Sequence, residues 1–431
     1  MPLIPTLVLA AGLQSAGAGG QVPPPAIPVE TYRERRERVI KGLDGCMTVI
    51  AAHGETSGIT EDFRQDGDFL WLTGVNEPGA WLVLAPHDEF ERTLLFLKPR
   101  DPEKERWTGP RAPISPELRA QYGVDYVRRG APDDALVEAA ARHDCVAIIS
   151  PAGLEKDERD DAELAQRLAG RFGLRVVYKR TLLAQLRVAH DAPEIARMER
   201  AIAITRAGHE AAARATVAGH SEREVQTQIE YAFNNAGGTG LAYPSIVGSG
   251  PNGAVLHWDD ASRVLRDGDL VVVDAAAEYG RYAADVTRTF PVSGHFDAEQ
   301  AAVYRAVYQA QEDIMAAVRP GVTMAQLQEV AEQSLRRSGH LKDFIHHFGH
   351  YIGLDVHDAG DYFAPLPEGA IITVEPGIYL PERGFGVRIE DEVLVTAKGC
   401  RLLTADFPRK LEDVEAWVAA ARRPVAAHPV K

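Results

Sequence analysis

The chain has 431 residues, carries 47 Lys and Arg against 62 Asp and Glu for a net charge of −15, and is 45% hydrophobic and 25% charged. At about 150 residues per domain, this ordinary globular mixture implies two or three domains and excludes a small disulfide scaffold, a disordered chain and a polytopic membrane protein. So large an acidic excess repels phosphate backbones, and no nucleic-acid partner is expected.

The chain opens with LIPTLVLAAGL from Leu3 to Leu13, followed by small residues through Gly20, the pattern of a secretory h-region and cleavage site. No Lys or Arg precedes the run. It reads either as a signal peptide, which would place the protein in the periplasm or outside the cell, or as an apolar extension of a cytoplasmic protein. It is shorter than the ~20 residues of a membrane span, and no integral span is expected. Pro23-Pro24-Pro25 make a stiff spacer, so residues 1–28 stand apart. Cys46, Cys145 and Cys400 are widely separated with no C-x-x-C spacing and are expected to be buried thiols.

Residues 29–187 have the pattern of an α/β domain. A charged helix over residues 32–41 mixes arginines with glutamates and reads as a solvated face. Short β-rich runs at residues 47–52, 69–73, 80–85, 93–98, 145–149 and 174–178, separated by helical stretches, predict a mixed sheet covered by helices. At Asp191 the string D-A-P-E supplies an N-cap, a first-turn proline and a capping-box partner in Glu194. A long helix therefore begins a second domain, taken as residues 188–415 with a tail over 416–431. Within it, Gly248-Ser249-Gly250-Pro251-Asn252-Gly253 matches G-x-G-x-x-G, but no helix can open on it before Asp259-Asp260, so a glycine-rich turn is expected rather than a dinucleotide site.

Residues 270–290, LVVVDAAAEYGRYAADVTRTF, read as two strands joined by a tight turn. A turn centred on Tyr279 and Gly280 sets Asp274 directly opposite Asp285, with Cβ atoms about 5 Å apart. Two carboxylates so placed repel unless a cation lies between them; the alternative is that each caps a turn or pairs with Arg281 or Arg288. Asp274 follows Val271-Val272-Val273, where an unpaired charge is costly, and this favours a metal pair. The string from His346 to Gly353 then brings histidines and close-approach glycines and runs on to His357-Asp358. Residues 371–377 make a strand ending in Glu375 at a Pro-Gly turn, and residues 386–390 make another with Arg388 and Glu390 on one face. Singly, these residues read as core histidines and salt-bridge partners. Together, four carboxylates and an imidazole suit two divalent ions better than a thiolate zinc centre does.

Asp274, Asp285, His350, Glu375 and Glu390, in that order within VVDAAAEYGRYAADVTRTF, GHYIGLDVHD, TVEPGIY and VRIEDEVLV, resemble the five-ligand set of the pita-bread metallopeptidases. DFRQDGDFLWLTGVNEPGAWLVL from Asp62 and LFLKPRDPEKERWTGPR from Leu95 resemble the N-terminal domain of aminopeptidase P. The resemblance implies an α/β N-terminal domain followed by an α+β pita-bread catalytic domain. It also implies hydrolysis of the Xaa-Pro bond, in peptides with proline second, by hydroxide bound to two divalent ions, with Mn²⁺ preferred and Co²⁺, Zn²⁺ or Fe²⁺ as alternatives. Asp274 would chelate one ion, Asp285 and Glu390 would bridge both, and His350 with Glu375 would complete the second. Glu375 would act as general base, His357 would stabilise the oxyanion and His257 would orient the peptide. His346 would line the proline pocket, and Tyr379 and Arg388 would orient the ligands and His357. Trp107 corresponds to an aromatic that a neighbouring subunit presents at the cleft, which implies a homodimer or homotetramer. Residues 361–367, DYFAPLP, lack the arginine expected to hold the substrate's C-terminal part, so a prolidase that cleaves only Xaa-Pro dipeptides remains the alternative. The intact ligand set argues against an inactive peptide-binding module and against a metal-free creatinase-like hydrolase.

Overall fold

The computed structural model describes residues 26–54, 63–88, 91–150 and 160–423. The apolar run at residues 3–13, the proline spacer and the last eight residues of the expected tail lie outside these. The first half runs α1 (Val29–Gly42), β1 (Met47–Ala51), α2 (Gly67–Thr73), β2 (Trp81–Leu84), β3 (Thr93–Leu97), α3 (Glu105–Thr108), α4 (Pro116–Tyr122), β4 (Tyr126–Arg129), α5 (Asp133–Ala141), β5 (Cys145–Ile148), α6 (Asp160–Phe172), β6 (Arg175–Tyr178) and α7 (Leu182–Arg187). Its strands form one mixed sheet in the order β4-β3-β2-β1-β5-β6, antiparallel in the middle and parallel at both ends.

Three expectations are corrected in this half. Residues 69–73 are helical, because the Asp66 side chain caps the Phe69 amide and Gly74 closes the far end in the left-handed conformation; so short an apolar run carries no period that separates strand from helix. Arg35 and Arg36 of α1 are fully buried rather than solvated. Their guanidinium groups donate to the carbonyls of Trp71 (3.0 Å) and Leu72 (2.7 Å), which have no partner within the last turn of α2. Cys46 and Cys145 are joined in a disulfide, with Cα atoms 4.8 Å apart. Each immediately precedes or begins one of two strands, β1 and β5, that pair in parallel with Met47 beside Val146, and this register brings the two sulfurs together across 99 residues of chain. Only Cys400 is a free thiol among the described residues.

The second half runs α8 (Ala192–Ala215), α9 (Glu222–Asn235), β7 (Gly240–Leu241), β8 (Ile246–Ser249), β9 (Leu270–Asp274), β10 (Ala277–Tyr279), β11 (Tyr282–Ala283), β12 (Thr287–Pro291), α10 (Ala298–Ala317), α11 (Met324–Ser338), β13 (Ile371–Val374), β14 (Gly377–Leu380), β15 (Phe385–Arg388), β16 (Asp391–Thr396), β17 (Gly399–Leu402) and α12 (Leu411–Ala421). The described strands pair only antiparallel, in the groups β11-β10-β7, β12-β9-β8, β13-β16-β17 and β14-β15. Helices α8, α10 and α12 pack on them through a shared apolar core that includes Ile204, Val273, Phe290, Tyr304 and Trp417. The capping box expected at Asp191 and Glu194 is present, with Pro193 in the first turn of α8. The glycine-rich stretch after β8 closes into a short 3-10 turn over Gly250–Ala254, and no helix opens on its third glycine.

Candidate metal centre

Asp274 ends β9, and Asp285 sits in the gap between β11 and β12. Their facing differs from the expectation. The hairpin turns at Gly280 and Arg281, both with positive φ (56° and 75°), so Tyr279 pairs with Tyr282 and Asp274 with Thr287. This is the left-handed pair of central residues that two-residue hairpins favour, with arginine where glycine is usual. The pairing moves by two residues, which preserves the parity of the pleat, so the aspartates remain on one face as diagonal neighbours. The Tyr243 hydroxyl lies 2.6 Å from a carboxylate oxygen of each.

The other three donors also stand where regular pairing stops. Glu375 follows β13, Glu390 lies between β15 and β16, and His350 lies on the segment leading to β13. Gly349 lets that segment approach β13, since a Cβ there would lie 2.1 Å from the Thr373 carbonyl oxygen. The Thr373 hydroxyl accepts from the His350 amide at 3.0 Å and donates to Glu375 at 3.3 Å. His350 Nδ1 faces the Tyr351 carbonyl at 3.0 Å, which makes it the donor and leaves Nε2 free to act as a ligand. That Nε2 lies 3.4 Å from both Asp285 and Glu375. Asp285, His350 and Glu390 each offer a donor atom, all within 4.8 Å of one another.

This donor set fits a divalent cation. Burial and the Asp285 carboxylate push the Glu375 carboxyl up to about 7. Burial, Asp285 and Glu375 push Glu390 well above the carboxylate range, and burial raises Asp274 against the pull of Arg388. Hard oxygen ligands crowded so that their charges oppose one another are what a divalent ion compensates.

The donors open into a cleft of about 1050 Å³ that His257, His346 and His357 also line. Tyr379 and Arg388 stand behind it, buried. Arg388 donates to Asp274 (2.6 Å) and to the Tyr379 hydroxyl (2.7 Å), and that hydroxyl lies 3.0 Å from His346 Nε2. Arg388 also donates to Thr287, whose hydroxyl donates to Glu390 at 2.7 Å. Neither residue hydrogen-bonds His357 among the described residues. Trp107 is 90% exposed on α3 and does not line the cleft of its own chain.

Residues 196–397 match the metallopeptidase family M24, and residues 32–147 match the aminopeptidase P N-terminal domain. A Xaa-Pro aminopeptidase of Haemophilus influenzae is 33% identical over 428 residues, covering 90% of this chain and 97% of the relative. The chain belongs to the aminopeptidase P family of M24 metallopeptidases.

An aminopeptidase from Pseudomonas aeruginosa superposes with a TM-score of 0.83 at 32% identity, over 92% of this chain and 99% of that one. Zinc-substituted Escherichia coli aminopeptidase P in complex with product superposes at 0.80 with 30% identity, over 92% and 100%. The two-domain aminopeptidase P fold, with its mixed-sheet N-terminal domain and pita-bread catalytic domain, is thus the fold of this chain, and divalent-metal binding is a property its family and its donor set share. Two residues of this aminopeptidase P site escaped the sequence reading. Tyr243 reaches the aspartates from the link between β7 and β8, 31 and 42 residues away in sequence, and no local pattern marks it. Glu222, fully buried at the start of α9, accepts from Ser249, Asn252, Trp258 and the Arg263 amide, and so ties down the loop that carries His257. In sequence it stands one residue after the Ser221 N-cap, where a first-turn carboxylate is ordinary, and no local pattern marks it as more.

Proposed function

We propose that this chain is a metal-dependent Xaa-Pro aminopeptidase that releases the N-terminal residue from peptides with proline in second position. The observation that carries this reading is that the five donors and the three histidines meet in one cleft. Asp274, Asp285, His350, Glu375 and Glu390 would hold two divalent ions, with Mn²⁺ preferred, Asp285 and Glu390 being shared and His350 with Glu375 completing the second site. Bound there, such ions lower the pKa of water and polarise a carbonyl. The chain supplies the rest. Glu375, ionised once an ion is bound, can act as general base, taking a proton from water and passing it to the departing proline nitrogen. Burial and His350 lower the His357 pKa, so its neutral imidazole can donate to a developing oxyanion without a prior change of charge. His257 orients the peptide, and His346, held by Tyr379, borders the proline side.

Hydrolysis of an Xaa-Pro-Xaa tripeptide and of its matched Xaa-Pro dipeptide by Mn²⁺-loaded protein, with and without EDTA, tests this. Chelator-sensitive cleavage of the tripeptide is expected. Cleavage of the dipeptide alone would make the enzyme a prolidase, and cleavage of neither with metal bound would sink the substrate class.

Export is proposed with it. The apolar N-terminal run supports it, as does the Cys46–Cys145 disulfide, because such bonds persist in oxidising compartments. No helix among the described residues is long and apolar enough to cross a membrane. A homodimer or homotetramer is proposed because Trp107, 90% exposed, corresponds by resemblance to an aromatic that a neighbouring subunit presents at the cleft.

A further inference from the structure

His357 has an unusual support. Its imidazole makes no hydrogen bond to a described residue, and its ring contact is an edge-on packing against His350 at 4.3 Å between centroids. The backbone must therefore place it. That backbone is a tight turn held by the next residue, Asp358, whose amide donates to the Tyr351 carbonyl at 2.9 Å. The Asp358 carboxylate accepts from the Leu354 amide (3.0 Å) and the Ala359 amide (2.7 Å), so one side chain ties both ends of the turn around His357.

Asp358 is itself held from outside the turn. Arg187, the last residue of α7 and 95% buried, contacts the Asp358 carboxylate through Nη2, lies 3.5 Å from Asp355, and donates through Nη1 to Asp68 of α2 at 2.6 Å. Asp68 is also buried, and its helix belongs to the N-terminal half. A second strut runs parallel to the first: Arg64 donates to the Leu354 carbonyl at 2.9 Å and to Glu278 at 2.6 Å. Arginine suits the first joint because its rigid planar fork presents donors to two carboxylates in fixed directions, whereas a lysine ammonium is a point charge on a flexible stem.

We infer that Arg187 is a positioning residue for His357, and that through Arg187 and Asp68 the N-terminal domain helps place the imidazole that faces the scissile carbonyl. This rests on the proposed peptidase reading. Asp68→Asn weakens the joint from the N-terminal side and leaves Asp358 and every donor in place. It should lower kcat on an Xaa-Pro-Xaa tripeptide about tenfold, with KM and bound metal unchanged. In a His357→Ala background the same substitution should cost no further activity. In Zn²⁺-loaded, ¹⁵N-histidine-labelled protein it should move the His357 ring resonances, assigned by their loss in His357→Ala, while those of His295 stay put. Arg187→Lys is the second variant, and it should behave alike if Asp68→Asn fails to fold. Undiminished kcat, a penalty that multiplies with that of His357→Ala, or an unmoved His357 ring would each overturn the inference. If the wild type cleaves no Xaa-Pro peptide, the functional reading falls by itself and the ring resonances decide the positioning role alone.

Discussion

His350 and Glu375 face each other at 3.4 Å, and each holds on to a proton near neutrality. Burial opposes charge on His350, but the Asp285 carboxylate overrides it and raises the imidazole to about 9. Burial and Asp285 raise Glu375 to about 7. A divalent cation needs neutral imidazole and ionised carboxylate, so loading must displace protons from both, and raising the pH removes those protons in advance. Apparent metal affinity should therefore climb between about pH 6 and 9, with proton release visible by calorimetry in buffers of different ionisation enthalpy. Loading without proton release would contradict this account. At this scale much of the site was legible: a carboxylate inside an apolar strand has few uses, and Asp274 after three valines advertised itself. The turn between the aspartates was not, because Arg281 takes a left-handed conformation that sequence rules assign to glycine or asparagine. Tyr243 and Arg187 were hidden for a different reason, since their partners are remote in sequence.

At the start of α8 a single carboxylate joins several elements. Glu194 closes the capping box on Asp191, accepts from the Tyr282 hydroxyl at 3.0 Å, and lies 3.2 Å from Arg35 of α1. Burial alone would raise its pKa; the hydrogen bond and charge of His190, with Arg35, lower it to about 2. Its folded value therefore lies below the ~4.5 of an unfolded glutamate, so its contribution is present above pH 4.5 and is lost as pH falls toward 2. At 1.36 kcal/mol per unit the contribution is about 3 kcal/mol. Glu194→Gln should melt well below the wild type at pH 7, and the gap should shrink in melts taken at progressively lower pH; a constant gap would show that the charge is not what matters. The N-terminus of α8 was readable because a capping box is contained in four consecutive residues. Helix α2 was misread because its identity depends on Gly74 and on two arginines arriving from α1, neither of which a five-residue apolar run reveals.

Across the whole molecule, the division into a mixed-sheet half and an antiparallel half was visible in the spacing of short strands and in the two sets of motifs. The sheet order was not, since β1 lies between β2 and β5 through pairings separated by long stretches of chain, and the disulfide was invisible for the same reason. Closing 99 residues of chain restricts the unfolded ensemble by an amount that chain-entropy models put at about 4 to 5 kcal/mol. Cys46→Ser, or reductant added to the wild type, should lower Tm to the same value, whereas Cys400→Ser should leave it unchanged. Different values for the variant and the reduced wild type would mean that the serine does more than break the bond.

The disulfide ties two strands of the first sheet, while the five proposed metal donors all lie between residues 274 and 390 of the second half. The bond and the proposed metal donors thereby lie in different parts of one chain. Two preparations, one oxidised and one reduced, would give the same initial rate on a fresh peptide assay at room temperature and part company only on heating or storage. An enzyme arranged in this way would reach full specific activity before its bond has formed, and the bond would determine how long the molecule lasts rather than how fast it works.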